Sequence, residues 1–145
     1  HPKSRGEITL NSSDPYDYPK ILFNYLKEEE DLKQTRECIK VARKILSQPA
    51  LSEHAGEEVG PGLDSQSDDE LNEYIRSKAD TAYHPCGTCK MGVDDMSVVD
   101  QDLKVKGIEN LRVIDASIIP EIPSANLNAP TLMIAEKGSD YILNS

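Results

Sequence analysis

His84 and the residues that follow it are the part of this sequence best suited to chemistry. They form the stretch Tyr83-His84-Pro85-Cys86-Gly87-Thr88-Cys89-Lys90-Met91-Gly92. A neutral imidazole accepts a hydroxyl proton readily near pH 7, so His84 is a candidate general base for alcohol chemistry. Pro85 restricts His84 to extended backbone, and Gly87 lets the main chain approach a flat or anionic group closely. A lone histidine is more often a hydrogen-bonded structural residue, so its neighbours decide between the two interpretations.

The pair Cys86 and Cys89 indicates a different chemistry. A C-x-x-C motif occurs in thioredoxin-like redox sites and as half of a zinc site. A redox pair of that kind follows a strand, whereas the residues before Cys86 predict a helix. Zinc needs two further ligands, and the spacing of His84 and Cys38 does not favour a complete set. We therefore expect no metal site, and thiol chemistry stays as an alternative.

His1 offers another metal-based alternative. A free N-terminal histidine chelates copper in some oxidative enzymes through its own amine and ring. That arrangement needs a mature amino terminus and a second histidine nearby, and only His54 and His84 are available. Copper chemistry is accordingly the less favoured interpretation.

Asn126 begins a second group of candidate residues. Its amide can hydrogen-bond to a substrate oxygen but cannot act as a base at neutral pH. Asn128, Pro130 and Thr131 follow at a predicted helix N-terminus, where free N–H groups and a partial positive charge suit a carbonyl or an anion. Asparagine in a turn and proline at a helix start are also ordinary structural features, so this group does not establish a function by itself.

Asp115 and Ala116 follow the predicted strand Leu111 to Ile114. Cofactors in open α/β sheets bind beyond the carboxyl ends of strands, so both residues are candidate cofactor contacts. Ala116 is small enough to allow close approach of the backbone. The Asp115 side chain is equally well explained as a cap at the end of the strand.

Short elements must position these residues. The hydrophobic periodicity and turn residues predict a strand over 6–10, a helix over 31–46 ended by Pro49, a loop over 56–67, a helix after a Ser67–Glu70 capping box, strands over 98–106 and 111–114 with a turn at 107–110, and a last helix from Pro130 through Ile142. The apolar faces predicted to point inward are Leu32, Thr35, Ile39, Ala42, Ile45 and Leu46 on the first helix, and Leu71, Tyr74, Ile75 and Ala79 on the second.

Composition limits the class of protein. The 145 residues suffice for one domain-sized core, and 16 basic against 26 acidic residues give a net charge of −10. Nucleic acid and anionic membrane surfaces are therefore unfavourable partners.

A hydrophobic content of 37% with 5% aromatic residues is lean for an independent core. No apolar run reaches the ~20 residues of a membrane helix. Three cysteines form no disulfide framework, so the redox compartment stays open.

The order and spacing of the two clusters resemble the C-terminal signature of the glucose–methanol–choline (GMC) family of flavin-dependent alcohol oxidoreductases. The stretches His1 to Gly6 and Asp14 to Asp17 are similar as well, nearest to the animal glucose-dehydrogenase-like branch. The resemblance spans nearly the whole chain and implies the last quarter of a family member. A G-x-G-x-x-G motif, which holds the cofactor pyrophosphate near the start of such proteins, is not in this sequence.

The resemblance implies an α+β fragment. Residues 1–82 would form part of the antiparallel-sheet substrate domain, and residues 83–145 would form the C-terminal return segment of the α/β FAD-binding domain. The implied partners are a small-molecule alcohol and the missing N-terminal FAD-binding portion of the same protein. The compartment stays open, although the resemblance favours secretion.

The resemblance also implies a role for each candidate residue. His84 would accept the hydroxyl proton while hydride passes from the alcohol carbon to the flavin of FAD, and Asn126 would hold the oxygen. Asp115 and Ala116 would lie beside the pyrophosphate and ribityl chain. The cluster at the pyrimidine edge of the flavin would be Asn128, Pro130 and Thr131. Cys86 departs from the family, in which a small aliphatic residue is usual at this position.

A non-enzymatic alternative remains. The chain could be a truncated paralogue that keeps the C-terminal part of the fold as a binding or interaction module. In either case we expect an isolated fragment to bind FAD weakly and to be of low stability.

Overall fold

The computed structural model describes residues 1–144, which divide into two compact units. One unit comprises residues 2–80, and the other comprises residue 1 together with the residues from 81 onward. The described residues contain a two-stranded antiparallel sheet and three α-helices, which confirms the predicted α+β fragment. No helix within them has the length and apolar character needed to cross a membrane.

A β-hairpin opens the unit of residues 2–80. Strand β1 (Glu7–Thr9) pairs antiparallel with β2 (Lys20–Leu22), and Ile8 lies opposite Ile21. The strand predicted over 6–10 is thus confirmed, whereas β2 was not predicted. The three residues of β2, Lys-Ile-Leu, do not alternate between apolar and polar, which is the pattern that predicts a half-buried strand. In agreement, every residue of both strands is exposed.

Helix α1 (Glu29–Leu46) begins two residues before the predicted start. The buried carboxylate of Asp31 in its first turn accepts the backbone N–H of Lys3 at 2.6 Å and that of Ser4 at 2.7 Å. Leu32 beside it is 2% exposed. This first turn therefore holds the N-terminal arm of the chain.

Helix α2 (Asp68–Lys78) begins with the predicted capping box. Ser67 Oγ accepts the N–H of Glu70, and Glu70 Oε2 accepts the N–H of Ser67. Leu71 is fully buried and Ile75 is 2% exposed. The prediction that Ala79 points inward is wrong, because the helix ends at Lys78 and Ala79 is an exposed, extended cap residue.

Helices α1 and α2 are joined by polar contacts as well as by their buried leucines. Arg36 Nη1 donates to Asn72 Oδ1 at 2.7 Å, and Lys40 Nζ lies 2.9 Å from Asp68 Oδ1. The predicted apolar face of α1 is buried only in part: Ala42 is exposed, as are the two residues that end the helix, Ile45 and Leu46. The 11-residue α2 is shorter than the 18-residue α1 and does not cover its full length.

The unit containing residues 81 onward is built around the buried residues Val99, Leu103, Ile118 and Ile134. In the described residues, the strands predicted over 98–106 and 111–114 form isolated bridges in place of a ladder, from Val99 to Val105 and to Met91, and from Lys104 to Arg112. Asp100 Oδ1 accepts the N–H groups of Asp102 and Lys104, each at 2.9 Å, which folds the chain into a turn. This turn interrupts the ladder, so the prediction of two regular strands is wrong.

The predicted turn at 107–110 is confirmed, with φ of +78° at Gly107 and +60° at Asn110. The predicted last helix is confirmed as α3 (Asn128–Leu143), with Pro130 as its third residue. Gly138 is buried where α3 meets Ile114, and a Cβ at Gly138 would lie 2.4 Å from Ile114 Cγ2. Close packing at this glycine fixes the helix against the segment that leads to Asp115.

Candidate active site

His84 is held by the main chain that immediately precedes it. Tyr83 has a φ of +59°, a left-handed conformation that is uncommon outside glycine and asparagine, and its N–H donates to Thr81 Oγ1 at 3.0 Å. This turn brings the carbonyl of Ala82 within hydrogen-bonding reach of His84 Nδ1. The imidazole is half-buried. The backbone therefore holds the imidazole at Nδ1.

Asn126 completes a hydrogen-bonded pair with His84. Its Nδ2 lies 3.1 Å from His84 Nε2. A carbonyl oxygen can only accept, so in the neutral ring Nδ1 carries the proton and donates to Ala82. Nε2 then presents a lone pair, which accepts a hydrogen bond from the Asn126 amide. The arrangement leaves Nε2 as the basic atom of the site.

The segment that begins at Gly87 is tied to the residues that follow Asp115. The N–H of Cys89 donates to the Ser117 carbonyl at 3.0 Å, and that of Met91 donates to the Ile118 carbonyl at 2.8 Å. Gly87 adopts a φ of +88°, and a Cβ there would lie 3.3 Å from the Ile119 oxygen. The group that the main chain at Gly87 approaches closely is therefore the backbone of Ile119.

Asp115 and Ala116 lie at the start of a 3-10 helix, Ala116–Ile118. The exposed Asp115 carboxylate accepts the N–H of Ser117 at 2.7 Å. The structure therefore uses the Asp115 side chain as a cap, which was the alternative interpretation of this residue. Ala116 is half-buried, and the cofactor contacts of both residues remain predictions.

Helix α3 begins two residues after Asn126. No side chain caps its N-terminus: Leu127 is the cap residue, and its carbonyl accepts both the N–H of Thr131 at 2.9 Å and the hydroxyl of Thr131 at 2.7 Å. Asn128 is exposed, whereas Pro130 and Thr131 are half-buried. The first-turn N–H groups are therefore not bonded to a side-chain cap and can donate to a ligand oxygen.

The geometry gives no support to a zinc or thiol site at Cys86 and Cys89 or to a copper site at His1. Cys86 and Cys89 are both half-buried. Across residues 1–144, no group of three or more histidine, cysteine or acidic side chains comes together as a metal site. The ring nitrogens of His1 contact Ile122 O and Ser124 Oγ, so neither faces another histidine.

Three parts of the site were not predicted from the sequence. No sequence signal marks the left-handed turn at Tyr83, because this conformation is usually marked by glycine or asparagine. No sequence signal marks the role of the Ala82 carbonyl either, since every residue has a carbonyl group. The contacts of His1 join residues more than 120 positions apart, which no local pattern reveals.

The sequence of this chain is similar to that of known proteins. Residues 2–135 match the family model described as GMC oxidoreductase. The chain is 53% identical over 139 residues to an oxygen-dependent choline dehydrogenase of Klebsiella pneumoniae subsp. pneumoniae, and 52% identical to that of Escherichia coli K12. Each match covers 96% of this chain and 25% of the relative, so the chain spans about a quarter of their length.

Solved structures agree with the sequence matches. Pyridoxine 4-oxidase from Mesorbium loti superposes with a TM-score of 0.92 at 33% identity, over 100% of this chain and 28% of that one. Formate oxidase of Aspergillus oryzae, with an R554A mutation, superposes with a TM-score of 0.87 at 34% identity, over 94% of this chain and 24% of that one. The resemblance to the animal glucose-dehydrogenase-like branch is not supported, since these choline dehydrogenases are bacterial. The chain belongs to the GMC oxidoreductase family and corresponds to its C-terminal region.

Proposed function

We propose that this chain supplies the catalytic base and part of the cofactor site of an FAD-dependent alcohol oxidoreductase. The observation that carries the proposal is the pair of contacts made by the His84 ring, Nδ1 with the Ala82 carbonyl and Nε2 with the Asn126 amide. A neutral imidazole with an accessible lone pair is suited to removing a hydroxyl proton. The remaining portion of the same protein, with its N-terminal FAD-binding domain, is the implied partner.

In this proposal His84 and Asn126 act on the same oxygen. The alcohol hydroxyl replaces the Asn126 amide at the single lone pair of His84 Nε2, which takes the hydroxyl proton as the carbon–oxygen double bond forms. The Asn126 N–H released from Nε2 then donates to the substrate oxygen. The Ala82 carbonyl continues to accept from Nδ1 while Nε2 takes the proton.

The residues of this chain fit a bound FAD. Free N–H groups at the start of α3 would donate to carbonyl oxygens of the flavin from the turn that contains Asn128, Pro130 and Thr131. The small, half-buried Ala116 and its neighbour Asp115 would lie against the pyrophosphate and ribityl chain. When bound, FAD supplies the acceptor for the hydride that leaves the alcohol carbon.

We further propose a substrate of the choline type, an alcohol with a quaternary ammonium group, in place of the animal glucose-dehydrogenase-like specificity. The names of the bacterial relatives support it. The net charge of −10 favours a cation over an anion near the protein. Tyr83, next to the base, has 78% of its surface exposed, and an aromatic face attracts such a cation.

The domain roles follow the same proposal. Residues 1–82 would belong to the substrate domain, and residues 83–145 would return to the FAD-binding domain. Both would belong to a longer protein, and the match to only 25% of the relative supports this proposal.

The test is His84→Ala in the full-length protein, with flavin content and turnover of choline both measured. We expect kcat to fall by about 10²–10⁴ while bound flavin is retained. His54→Ala, which changes an exposed histidine, is the matched control. Unchanged turnover in the His84 variant would exclude the proposed base. A wild-type protein that neither binds flavin nor oxidises alcohols would instead favour the non-enzymatic binding module.

Substrate class is tested by comparing choline with 3,3-dimethylbutan-1-ol, its uncharged analogue of the same shape. We expect a lower KM for choline, because only the cation gains from the aromatic and acidic surroundings. Equal KM values would exclude recognition of the ammonium group and leave the role of His84 untouched.

A further inference from the structure

The loop that presents Asn126 has few means of holding itself in place. It runs from Pro120 to Asn126, and Pro120 and Pro123 both lack a backbone N–H. Proline also biases the residue before it toward extended backbone. The amide of Asn126 nevertheless lies 3.1 Å from His84 Nε2, a distance that a small shift of the loop would lose.

His1 contacts this loop at two points. Its Nδ1 lies 2.9 Å from the carbonyl oxygen of Ile122, and its Nε2 lies 3.2 Å from Ser124 Oγ. The carbonyl only accepts, so Nδ1 carries the proton and Nε2 accepts from the Ser124 hydroxyl. One planar ring thus bonds to a main-chain group and a side chain that are two residues apart. The second of them precedes Asn126 by two residues.

We propose that His1 is a positioning residue for the active site: it fixes the 120–126 loop so that the Asn126 amide stays directed at His84 Nε2 and the substrate oxygen. This inference rests on the proposed function of the His84 and Asn126 pair. His1 acts through Ile122 and Ser124, with which its ring nitrogens form hydrogen bonds. Preorganised donors at a reacting oxygen lower the barrier more than they tighten substrate binding, so the loss should fall mainly on kcat.

The experiment uses the full-length protein with His1→Ala, His1→Gln and Ser124→Ala. We expect His1→Ala to lower kcat about tenfold with little change in KM, because the Asn126 hydrogen bond to the substrate oxygen is then poorly placed. His1→Gln should recover most of the activity, because its amide pairs a donor with an acceptor. Ser124→Ala removes one of the two contacts and should give an intermediate loss. If His1→Gln is as impaired as His1→Ala, or if the loss falls on KM alone, the inference is wrong.

A double-mutant cycle separates positioning from general stabilisation. If His1 acts through Asn126, His1→Ala should cost almost nothing further in an Asn126→Ala background. Additive losses would assign His1 a structural role unrelated to Asn126. His84→Ala, measured in the same series, tests the proposed function itself. If His84→Ala is inactive while His1→Ala is fully active, only the positioning inference fails.

A readout independent of turnover completes the test. Hydrogen exchange followed by mass spectrometry should show faster exchange in the peptide covering residues 120–127 of His1→Ala. Exchange in α2 serves as the internal control, because this helix belongs to the unit of residues 2–80 and the loop does not. An unchanged exchange rate in the loop would contradict a clamp, whatever the kinetics.

Discussion

At the scale of single residues, Asn126 differs from a second histidine or a carboxylate in carrying hydrogens that do not titrate. One of them faces His84 Nε2, and the amide oxygen is left for other partners. An amide therefore supports the neutral ring, which is the form able to accept a proton. A negative group at the same place would favour the imidazolium instead.

Asn126→Asp tests this distinction. A carboxylate cannot donate to the substrate oxygen, and its charge stabilises protonated His84, which is not a base. We expect kcat/KM to fall about tenfold or more near neutral pH, as loss of a charged-state hydrogen bond implies. Steady-state kinetics of the two full-length proteins measure the ratio. An unchanged kcat/KM would contradict the role of Asn126 as a donor to the substrate oxygen.

At the scale of elements, Asp31 connects the N-terminal arm to α1. Burial raises the pKa of this carboxyl, but the hydrogen bonds from Lys3 and Ser4 lower it, and the net pKa lies below its usual value. The folded state therefore binds the proton less readily than the unfolded chain does. The stabilisation is fully present above the unfolded pKa of about 3.9 and is lost as pH falls through the lower folded pKa.

Asp31→Asn should consequently lower the free energy of unfolding at pH 6, since an amide cannot accept both N–H groups with two oxygens. The difference from wild type should shrink as the medium becomes strongly acidic. Urea unfolding at several pH values, followed by fluorescence, measures both effects. Glu53→Gln changes an exposed acidic residue and is the control. A difference in the free energy of unfolding that stays constant with pH would contradict the lowered pKa of Asp31.

Gly138 gives a second prediction for the elements. Alanine normally stabilises a helix interior by about 1 kcal/mol relative to glycine. Here the added Cβ would lie 2.4 Å from Ile114 Cγ2, and overpacking costs about 1–3 kcal/mol. We expect Gly138→Ala to lower the Tm, and to lower it less in an Ile114→Ala background, because alanine at position 114 removes Cγ2. Gly56→Ala, where a Cβ meets nothing within 4 Å, should leave the Tm nearly unchanged.

Sequence reasoning succeeded for elements whose signals are local. The capping box at Ser67 and the last helix with Pro130 in its first turn depend on residues within one turn of each other. It failed where a longer-range or backbone cause decides. The strands around Val99 and Val105 are reduced to bridges because Asp100 turns the chain, although the apolar pattern alone favours strands. The His84 and Asn126 pair was expected from resemblance, but the tautomer of His84 follows only from the Ala82 carbonyl.

At the scale of the whole molecule, a large apolar surface is left uncovered within the described residues. The β-hairpin region exposes Leu10, Tyr16 and Tyr18 by 85%, 92% and 90%, and the end of α1 exposes Ile45 and Leu46. Monomeric soluble proteins seldom expose contiguous apolar patches of more than a few hundred Å². Because the chain spans a quarter of its relatives, the proposed remainder of the protein would cover much of this surface.

The isolated 145-residue chain should therefore bind the dye ANS and self-associate, and it should unfold with a low Tm. The full-length protein should do none of these, because its apolar surface is buried against the rest of the fold. ANS fluorescence, analytical ultracentrifugation and calorimetry of the two proteins make the comparison. A monomeric isolated chain with cooperative unfolding and no dye binding would contradict the expectation.

The left-handed turn at Tyr83 has an evolutionary and a practical consequence. Because the oxygen that selects the His84 tautomer belongs to the main chain, the identity of the side chain at position 82 is irrelevant to it. Sequence drift at that position leaves the proton on the correct nitrogen, and alanine scanning cannot detect the contribution. The position of the Ala82 carbonyl depends instead on the left-handed backbone at position 83. Glycine adopts this conformation readily, whereas a β-branched residue such as valine disfavours it.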